Sequence, residues 1–193
     1  MQILSTFRKY IVASICGVLM AFSVGSPVRA EDLGAKSQLD DLFMQLADPA
    51  NTSWEAALNQ IQTEWSKSGS PAIDLLLMRG RRAMEEGDLP AAIEHLTALT
   101  DQAPDFAEGW NARATAYYLS GLYGPSIFDI EQVLRLEPRH FGAMSGLGLI
   151  LQEIGRTDDA ISAFKASLAI HPHQYGISQA LEKLEQAASG TEL

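Results

Sequence analysis

The side chains best suited to acid–base or metal chemistry in this sequence are its four histidines. His171 and His173 flank Pro172, whereas His95 and His140 stand apart with no histidine four residues away. No acid or cysteine completes a metal-ligand spacing around any of them. We therefore expect no metal site, and we interpret the histidines as loop and surface residues.

Two glycine-rich stretches could point to catalysis, but neither has the required spacing. In residues 142–146 the glycines and Ser145 are one residue out of place for a nucleophile elbow, and the segment has a helical pattern. Gly146 and Gly148 lie inside that helical pattern rather than after a strand, so they do not predict a phosphate-binding loop. Carboxylates are numerous but scattered. We predict a protein with no catalytic residues, no cofactor and no enzymatic activity.

The first thirty residues have the order of a secretory signal peptide. Arg8 and Lys9 precede an uncharged, mostly apolar run over residues 11–25, and Val28 and Ala30 place small residues at a cleavage site. We predict cleavage after Ala30 and a periplasmic or secreted location. The alternative is a membrane anchor, but about 15 apolar residues fall short of the ~20 that span a bilayer.

The charge balance limits the classes of partner. The 193 residues are 47% hydrophobic and carry a net charge of −10, which suits one folded domain and disfavours nucleic acid or an anionic membrane. Loss of residues 1–30 removes three basic residues and no acidic ones, so the net charge becomes −13. It also removes Cys16, the chain's single cysteine, which excludes thiol catalysis in the processed protein.

The rest of the sequence repeats with a period of 34 residues. Residues 73–106, 107–140 and 141–174 align without gaps, which is the signature of a stacked repeat protein. Like residues recur at position 8 (Gly80, Ala114, Gly148), position 15 (Gly87, Gly121, Gly155), position 20 (Ala92, Ser126, Ala160), position 24 (Leu96, Ile130, Phe164) and position 32 (Pro104, Pro138, Pro172).

These columns predict an all-α fold with two helices in each repeat. Small residues at positions 8 and 20 let two helices cross closely, glycine at position 15 ends the first helix, and proline at position 32 stops the second. Residues 31–72 predict a further helical pair that covers the end of the stack, with Thr52 and Glu55 as a capping box. Residues 175–193 predict a C-terminal capping helix with a frayed tail.

The chain resembles tetratricopeptide repeat (TPR) proteins over residues 73–174, and more loosely the small exported TPR proteins of alphaproteobacteria. The hallmark residues of the second repeat are Trp110, Ala114, Tyr117, Gly121, Tyr123, Ser126 and Pro138. The resemblance implies a right-handed α-solenoid whose first helices line a concave groove. It implies a protein- or peptide-binding role, and here a non-catalytic adaptor of the cell envelope. The alternative is a self-associating assembly factor of the cell envelope, with a homodimer as its simplest form.

The family pattern also assigns residues to the groove, with the repeat's first helix supplying them. Its candidate protein-binding residues are Leu77, Arg81, Met84, Asn111, Thr115, Tyr118, Ser145, Leu149 and Gln152. Among these, Arg81 is the expected contact for an anion. Chaperone-binding members hold a partner's C-terminal carboxylate with a clamp of basic and amide side chains. The clamp positions here are Leu77, Arg81, Ala112, Gly142 and Gly146, of which one is basic, so the resemblance does not imply a cytosolic chaperone partner.

Position 7 departs from the family pattern, because Arg79 and Arg113 stand where leucine is usual. One interpretation is an arginine that lays its stem over the core and pairs with a nearby acid. The other is a ladder of arginines that opens toward a ligand. The sequence leaves both interpretations open.

Overall fold

The structure is a computed structural model that describes residues 30–190, with side-chain surroundings from residue 38 onwards. The first 29 residues of the predicted signal peptide, which spans residues 1–30, and the last three residues of the predicted tail lie outside this range. The chain divides after Gly34, and every contact below lies in the unit that begins at Ala35. Within the described range the regular elements are all α-helices: α1 Ala30–Ala47, α2 Trp54–Trp65, α3 Pro71–Glu85, α4 Leu89–Gln102, α5 Ala107–Leu119, α6 Tyr123–Leu136, α7 Phe141–Glu153, α8 Thr157–Ile170 and α9 Tyr175–Ala188.

The predicted helix ends are confirmed by the backbone. Gly87, Gly121 and Gly155 follow the first helix of each repeat with φ of +79°, +72° and +77°, the left-handed region that only glycine enters at little cost. Each second helix ends two residues before its repeat's proline, as α4 does at Gln102 before Pro104. The glycine and proline columns therefore set the lengths of α3 to α8.

Close crossings between the two helices of a repeat explain the small residues. A Cβ added to Gly80 would overlap Leu96 across the α3–α4 crossing, and one added to Gly148 would overlap Phe164 across the α7–α8 crossing. In the second repeat, Ser126 donates its hydroxyl hydrogen to the carbonyl oxygen of Ala114 at 2.8 Å. The prediction of close crossings is confirmed, and the large position-24 side chain supplies the opposing surface.

The core runs continuously through the stacked helices. Each helix from α3 to α9 packs on the next in sequence, and the first helices α3, α5 and α7 also touch one another. The side chains of Leu96, Leu99, Val133, Ile150 and Phe164 are completely buried between these layers. Such stacking confirms the predicted all-α solenoid.

The N-terminal pair α1–α2 lies elsewhere than expected. Its buried residues, among them Leu46 and Ile61, pack with Phe141 at the start of α7 and Ile170 at the end of α8. Met78 of α3 stays exposed. The pair therefore covers the junctions beside the third repeat instead of the first end of the stack.

The predicted capping box at the start of α2 is wrong. Ser53 occupies the cap position and its side chain makes no capping hydrogen bond. The side-chain oxygen of Asn51 accepts instead from the backbone N–H of Ser53 at 2.9 Å. This turn begins at Asn51, one residue before Thr52, and competes with the predicted capping box for the same stretch of backbone.

Candidate protein-binding groove

An open pocket of about 300 Å³ lies between α5 and α7 on the face formed by the first helices. Five of the nine predicted groove residues line it, namely Asn111, Thr115, Tyr118, Ser145 and Leu149. Gly142 and Gly146 of α7 contribute bare backbone to the same wall, and Ile130 and Ile150 lie at its base. The repeat that carries most of the family hallmarks and the glycine-rich helix thus form a largely apolar cleft together.

Tyr118 is fixed at the rim of this pocket by Glu153 of α7. Its hydroxyl group donates to Glu153 Oε1 at 2.6 Å, and the Tyr123 hydroxyl donates to the other carboxylate oxygen. The hydrogen bond to Glu153, with burial and the negative charge of that carboxylate, raises the pKa of Tyr118 to about 12. Tyr118 is therefore a neutral, pre-oriented ring, which lowers the entropy cost of contacting a partner.

Ser145 is structural, although it reaches the pocket wall. Its hydroxyl group lies 2.7 Å from Ser167 Oγ and donates to Gln174 Oε1 at 2.9 Å, and the side chain is buried. Thr115 and Leu149, by contrast, are exposed and half-buried respectively. The residues of the pocket that are free to meet a partner are therefore mainly Thr115, Tyr118, Leu119 and Leu149.

A second pocket of about 380 Å³ lies beside the first and contains a charged cluster. Glu108 of α5 accepts hydrogen bonds from Arg81 and from Asn111, and its Oε2 atom lies 3.2 Å from His140 Nε2. Burial by itself raises the pKa of Glu108, but the hydrogen bond and charge of His140 and the guanidinium of Arg81 outweigh it and hold that pKa below its usual value. The acid stays ionised and paired.

The charged cluster corrects the expectation that Arg81 is free to bind an anion. Its guanidinium is neutralised by the buried carboxylate of Glu108 and also donates to Ser66 Oγ at 3.3 Å. Binding of an external carboxylate at Arg81 would have to displace an internal one. The other clamp positions carry no basic side chain, so the groove has no preformed site for an acidic chain terminus.

The remaining predicted groove residues do not join the α5–α7 pocket. Leu77 is buried in the core of the first repeat, and Met84 packs against the same core. Gln152 is exposed on α7 but does not line the pocket. Five of the nine predicted groove residues therefore line the α5–α7 pocket, while Leu77 and Met84 belong to the core of the first repeat.

The interpretation of the histidines as surface residues is wrong for two of them. His140 and His171 are 3% and 4% exposed, and both pack against tryptophans of α2. Sequence reasoning missed them because their partners lie 75 or more residues away. The available signal was the stripe that places Trp54 and Trp65 on one face of α2.

The two position-7 arginines occupy different surroundings. Arg113 is buried and makes a bidentate ion pair with Asp129 of α6, at 2.7 Å and 2.9 Å, and donates to Thr100 Oγ1 at 2.7 Å. Its guanidinium also lies 4.9 Å from the ring centre of Trp110. Arg79 is exposed on α3. Arg113 thus follows the paired-arginine interpretation, and the two do not form a ladder.

The described range, residues 30–190, holds no cluster of three or more His, Cys, Asp or Glu side chains arranged to bind a metal ion. None of its helices combines the length and apolarity needed to cross a bilayer.

Stacked helix pairs with a concave, partly apolar cleft define the class as α-helical repeat proteins. The tetratricopeptide repeat family model matches residues 77–124 and 129–175. A TPR repeat-containing protein of Rhizobium etli is 39% identical over 158 residues, which cover 80% of this chain and 76% of that protein. The chain belongs to the tetratricopeptide repeat family, whose domains mediate protein–protein interaction.

Solved structures show the same fold. The first TPR domain of Spaghetti (RPAP3), bound to the HSP90 peptide SRMEEVD, superposes with a TM-score of 0.60 at 21% identity, over 62% of this chain and 95% of that one. The Sgt2 TPR domain from Aspergillus fumigatus gives 0.58 at 25% identity, over 64% of this chain and 86% of that one. The chain spans 76% of its Rhizobium relative and almost all of these isolated domains.

Proposed function

We propose that this protein is a non-catalytic adaptor of the periplasm that binds a peptide or protein segment in the α5–α7 pocket. The observation that carries the proposal is the open cleft of about 300 Å³, which the fixed ring of Tyr118 and the half-buried side chain of Leu149 line. Half-buried aromatic and aliphatic side chains beside bare glycine backbone suit the insertion of an apolar side chain from a partner. The periplasmic location is supported by the signal-peptide order of residues 1–30.

The chemistry of the pocket favours an apolar segment over an acidic chain terminus. Arg81 is already paired with Glu108, and the protein has a net charge of −10, so an acidic partner would meet repulsion without a compensating clamp. The peptide in the RPAP3 complex ends in an acidic sequence, and the partner proposed here differs from it. Basic groups flanking an apolar anchor would be attracted by the overall field.

The test is a pull-down from an envelope extract with the full chain carrying a C-terminal tag. Thr115→Arg places a long charged side chain in the pocket mouth, and Gln152→Arg makes the same type of change at an exposed position outside the pocket. We expect Thr115→Arg to lower capture of the partner by at least about tenfold, the effect of blocking one central contact. Gln152→Arg should capture the partner as well as the wild type does.

The same experiment can contradict the proposal in two ways. Equal capture by both variants would show that the partner binds outside the pocket. When the tagged chain is expressed in cells and recovered from their periplasmic fraction, its first residue should be Glu31. A recovered chain that retains residues 1–30 would contradict the periplasmic location. Circular dichroism of both variants checks that the helix content is unchanged.

Self-association is the second candidate, and one surface feature favours it. Leu119, Leu122 and Ile154 are all exposed around the turns that end α5 and α7. Three large aliphatic side chains near one edge of a stack form the kind of apolar surface that pairs with another copy. Capture of a differently tagged copy of the chain, with no other protein, would favour this function over the adaptor.

A further inference from the structure

The end of α2 forms part of the wall of the concave face. Trp65 stacks on His140 with ring centres 4.3 Å apart and planes inclined by 10°. Trp65 and the adjacent Ser66 line the 380 Å³ pocket together with Arg81 and Glu108. Since Asn111 and Gly142 line both pockets, α2 ends directly beside the cleft proposed to bind a partner.

Three of the chain's four histidines contact the two tryptophans of α2. His173 stacks on Trp54 with ring centres 4.8 Å apart and planes inclined by 5°, and His171 lies 5.4 Å from the same ring. His140 supports Trp65 in the same way. The fourth, His95, lies on α4. Titratable rings are thus concentrated where the N-terminal pair meets the repeats.

Besides this stacking, the N-terminal pair packs through an apolar cluster that includes Leu46, Ile61 and Phe141, and through a few polar contacts. His173 Nε2 lies 3.1 Å from the carbonyl oxygen of Asp48, and Arg139 makes a partly exposed ion pair with Asp40 at 2.6 Å. The Nε1 atom of Trp65 and the Nδ1 atom of His171 are buried and lack a hydrogen-bond partner in the described structure. Both atoms would gain water if α2 moved away, which offsets part of the stabilisation from stacking.

We propose that the α1–α2 pair is a displaceable latch on the concave face, held in part by the stacking of Trp54 and Trp65 on His140, His171 and His173, and loosened when His171 becomes protonated. The consequence for partner access rests on the proposed adaptor function. The latch itself is a property of the protein alone.

The direction of the pH effect follows from His171. Burial, with a smaller contribution from the charge of His173, lowers the pKa of His171 from 6.5 to about 4. The docked state therefore binds fewer protons than the released state, so docking is fully stable above pH 6.5 and weakens as the pH falls toward 4. His171 faces Trp54 of α2 and Phe141 of α7, neither of which titrates, and the titratable ring of His173 lies 6.0 Å from it.

The other two histidines have different neighbours. His140 Nε2 lies 3.2 Å from the Glu108 carboxylate of α5, which also pairs with Arg81 of α3. His173 faces Trp54 and the Asp48 carbonyl oxygen. The pH response is assigned to His171, whose packed neighbours are aromatic rings.

Hydrogen exchange of the full chain at pH 7.5 and pH 5.0, corrected for intrinsic rates, tests the latch. If release returned the pKa of His171 from about 4 to its ordinary value of 6.5, the equilibrium constant for opening of the latch would rise by about thirtyfold at pH 5. Because Phe141 still covers His171 after release, we expect roughly tenfold faster exchange in residues 40–66. The helices α4 and α6 should keep their protection, which also reports that the protein is folded.

Two matched variants separate His171 from a general acid effect. His171→Phe keeps a ring in place and should abolish most of the pH response, whereas His95→Phe on α4 should leave it intact. The latch is overturned if residues 40–66 exchange equally at both pH values, if all helices lose protection together, or if His171→Phe responds like the wild type. Because this experiment contains no partner, such a result would not contradict the adaptor proposal. The pull-down with Thr115→Arg tests that proposal separately.

Discussion

At the scale of single residues, the burial of the arginine at repeat position 7 depends on which residue stands at position 23 of the same repeat. Arg113 faces Asp129 at position 23, whereas Arg79 shares its repeat with His95 at that position and stays exposed. In the third repeat the same two positions are Leu147 and Ala163, which pack in one apolar cluster. The pairing was present in the sequence alignment of the repeats, but only the helix crossing shows that these two columns touch.

Matched substitutions of the two arginines test this difference. Arg113→Met leaves the carboxylate of Asp129 buried without a partner, so we expect the free energy of unfolding to fall by about 3–5 kcal/mol. Arg79→Met removes an exposed side chain and should change it by no more than ~0.5 kcal/mol. Urea unfolding followed by circular dichroism measures both. Similar losses for the two variants would refute the distinction between a buried pair and a solvated arginine.

At the scale of elements, the glycines of α7 have separate roles that the sequence does not distinguish. Gly148 lies against Phe164, where no Cβ fits. At Gly146, an added Cβ would lie 3.8 Å from Ile130 Cδ1, an ordinary van der Waals contact. Packing therefore requires glycine at Gly148 but not at Gly146. Gly146 leaves the wall of the α5–α7 pocket without a side chain.

The two glycines should respond to alanine with opposite signs. Gly146→Ala removes backbone freedom from the unfolded chain and should stabilise the protein by about 0.5–1 kcal/mol. Gly148→Ala forces Phe164 out of its position and should destabilise it by roughly 1–3 kcal/mol. Thermal unfolding of the two variants beside the wild type gives the signs directly. Stabilisation by both would mean that the α7–α8 crossing is looser than the structure shows.

The helices could be predicted from the sequence where the residues that end them lie within the same stretch of chain. The glycines and prolines at positions 15 and 32 act within a few residues, so the bounds of α3 to α8 follow from them. The apolar stripe of α2 predicts that Trp54 and Trp65 are buried, but periodicity does not say against which surface. The contacts of Trp54 with His171 and His173 are set by tertiary packing more than 100 residues apart, which no local pattern encodes.

At the scale of the whole molecule, the N-terminal pair makes this solenoid depart from a linear stack. In a simple repeat protein each repeat contacts only its neighbours, so a local change propagates to the adjacent repeat first. Here Asp40 pairs with Arg139, and the carbonyl oxygen of Asp48 contacts His173, across 99 and 125 residues of sequence. Stability near the third repeat therefore depends on residues that precede the first.

Trp54→Ala tests this dependence. The substitution removes the ring that stacks on His173 and contacts His171, so we expect faster hydrogen exchange in residues 40–66 and in the loop after α8, at residues 171–174. The first repeat lies closer in sequence, but its core contains no residue of α1 or α2, and α4 should keep its protection. Trp110→Ala, in the second repeat, is the control for loss of a tryptophan away from α2. If Trp54→Ala weakened α4 before the loop at 171–174, the N-terminal pair would be stabilising its neighbour in sequence, as in a linear stack.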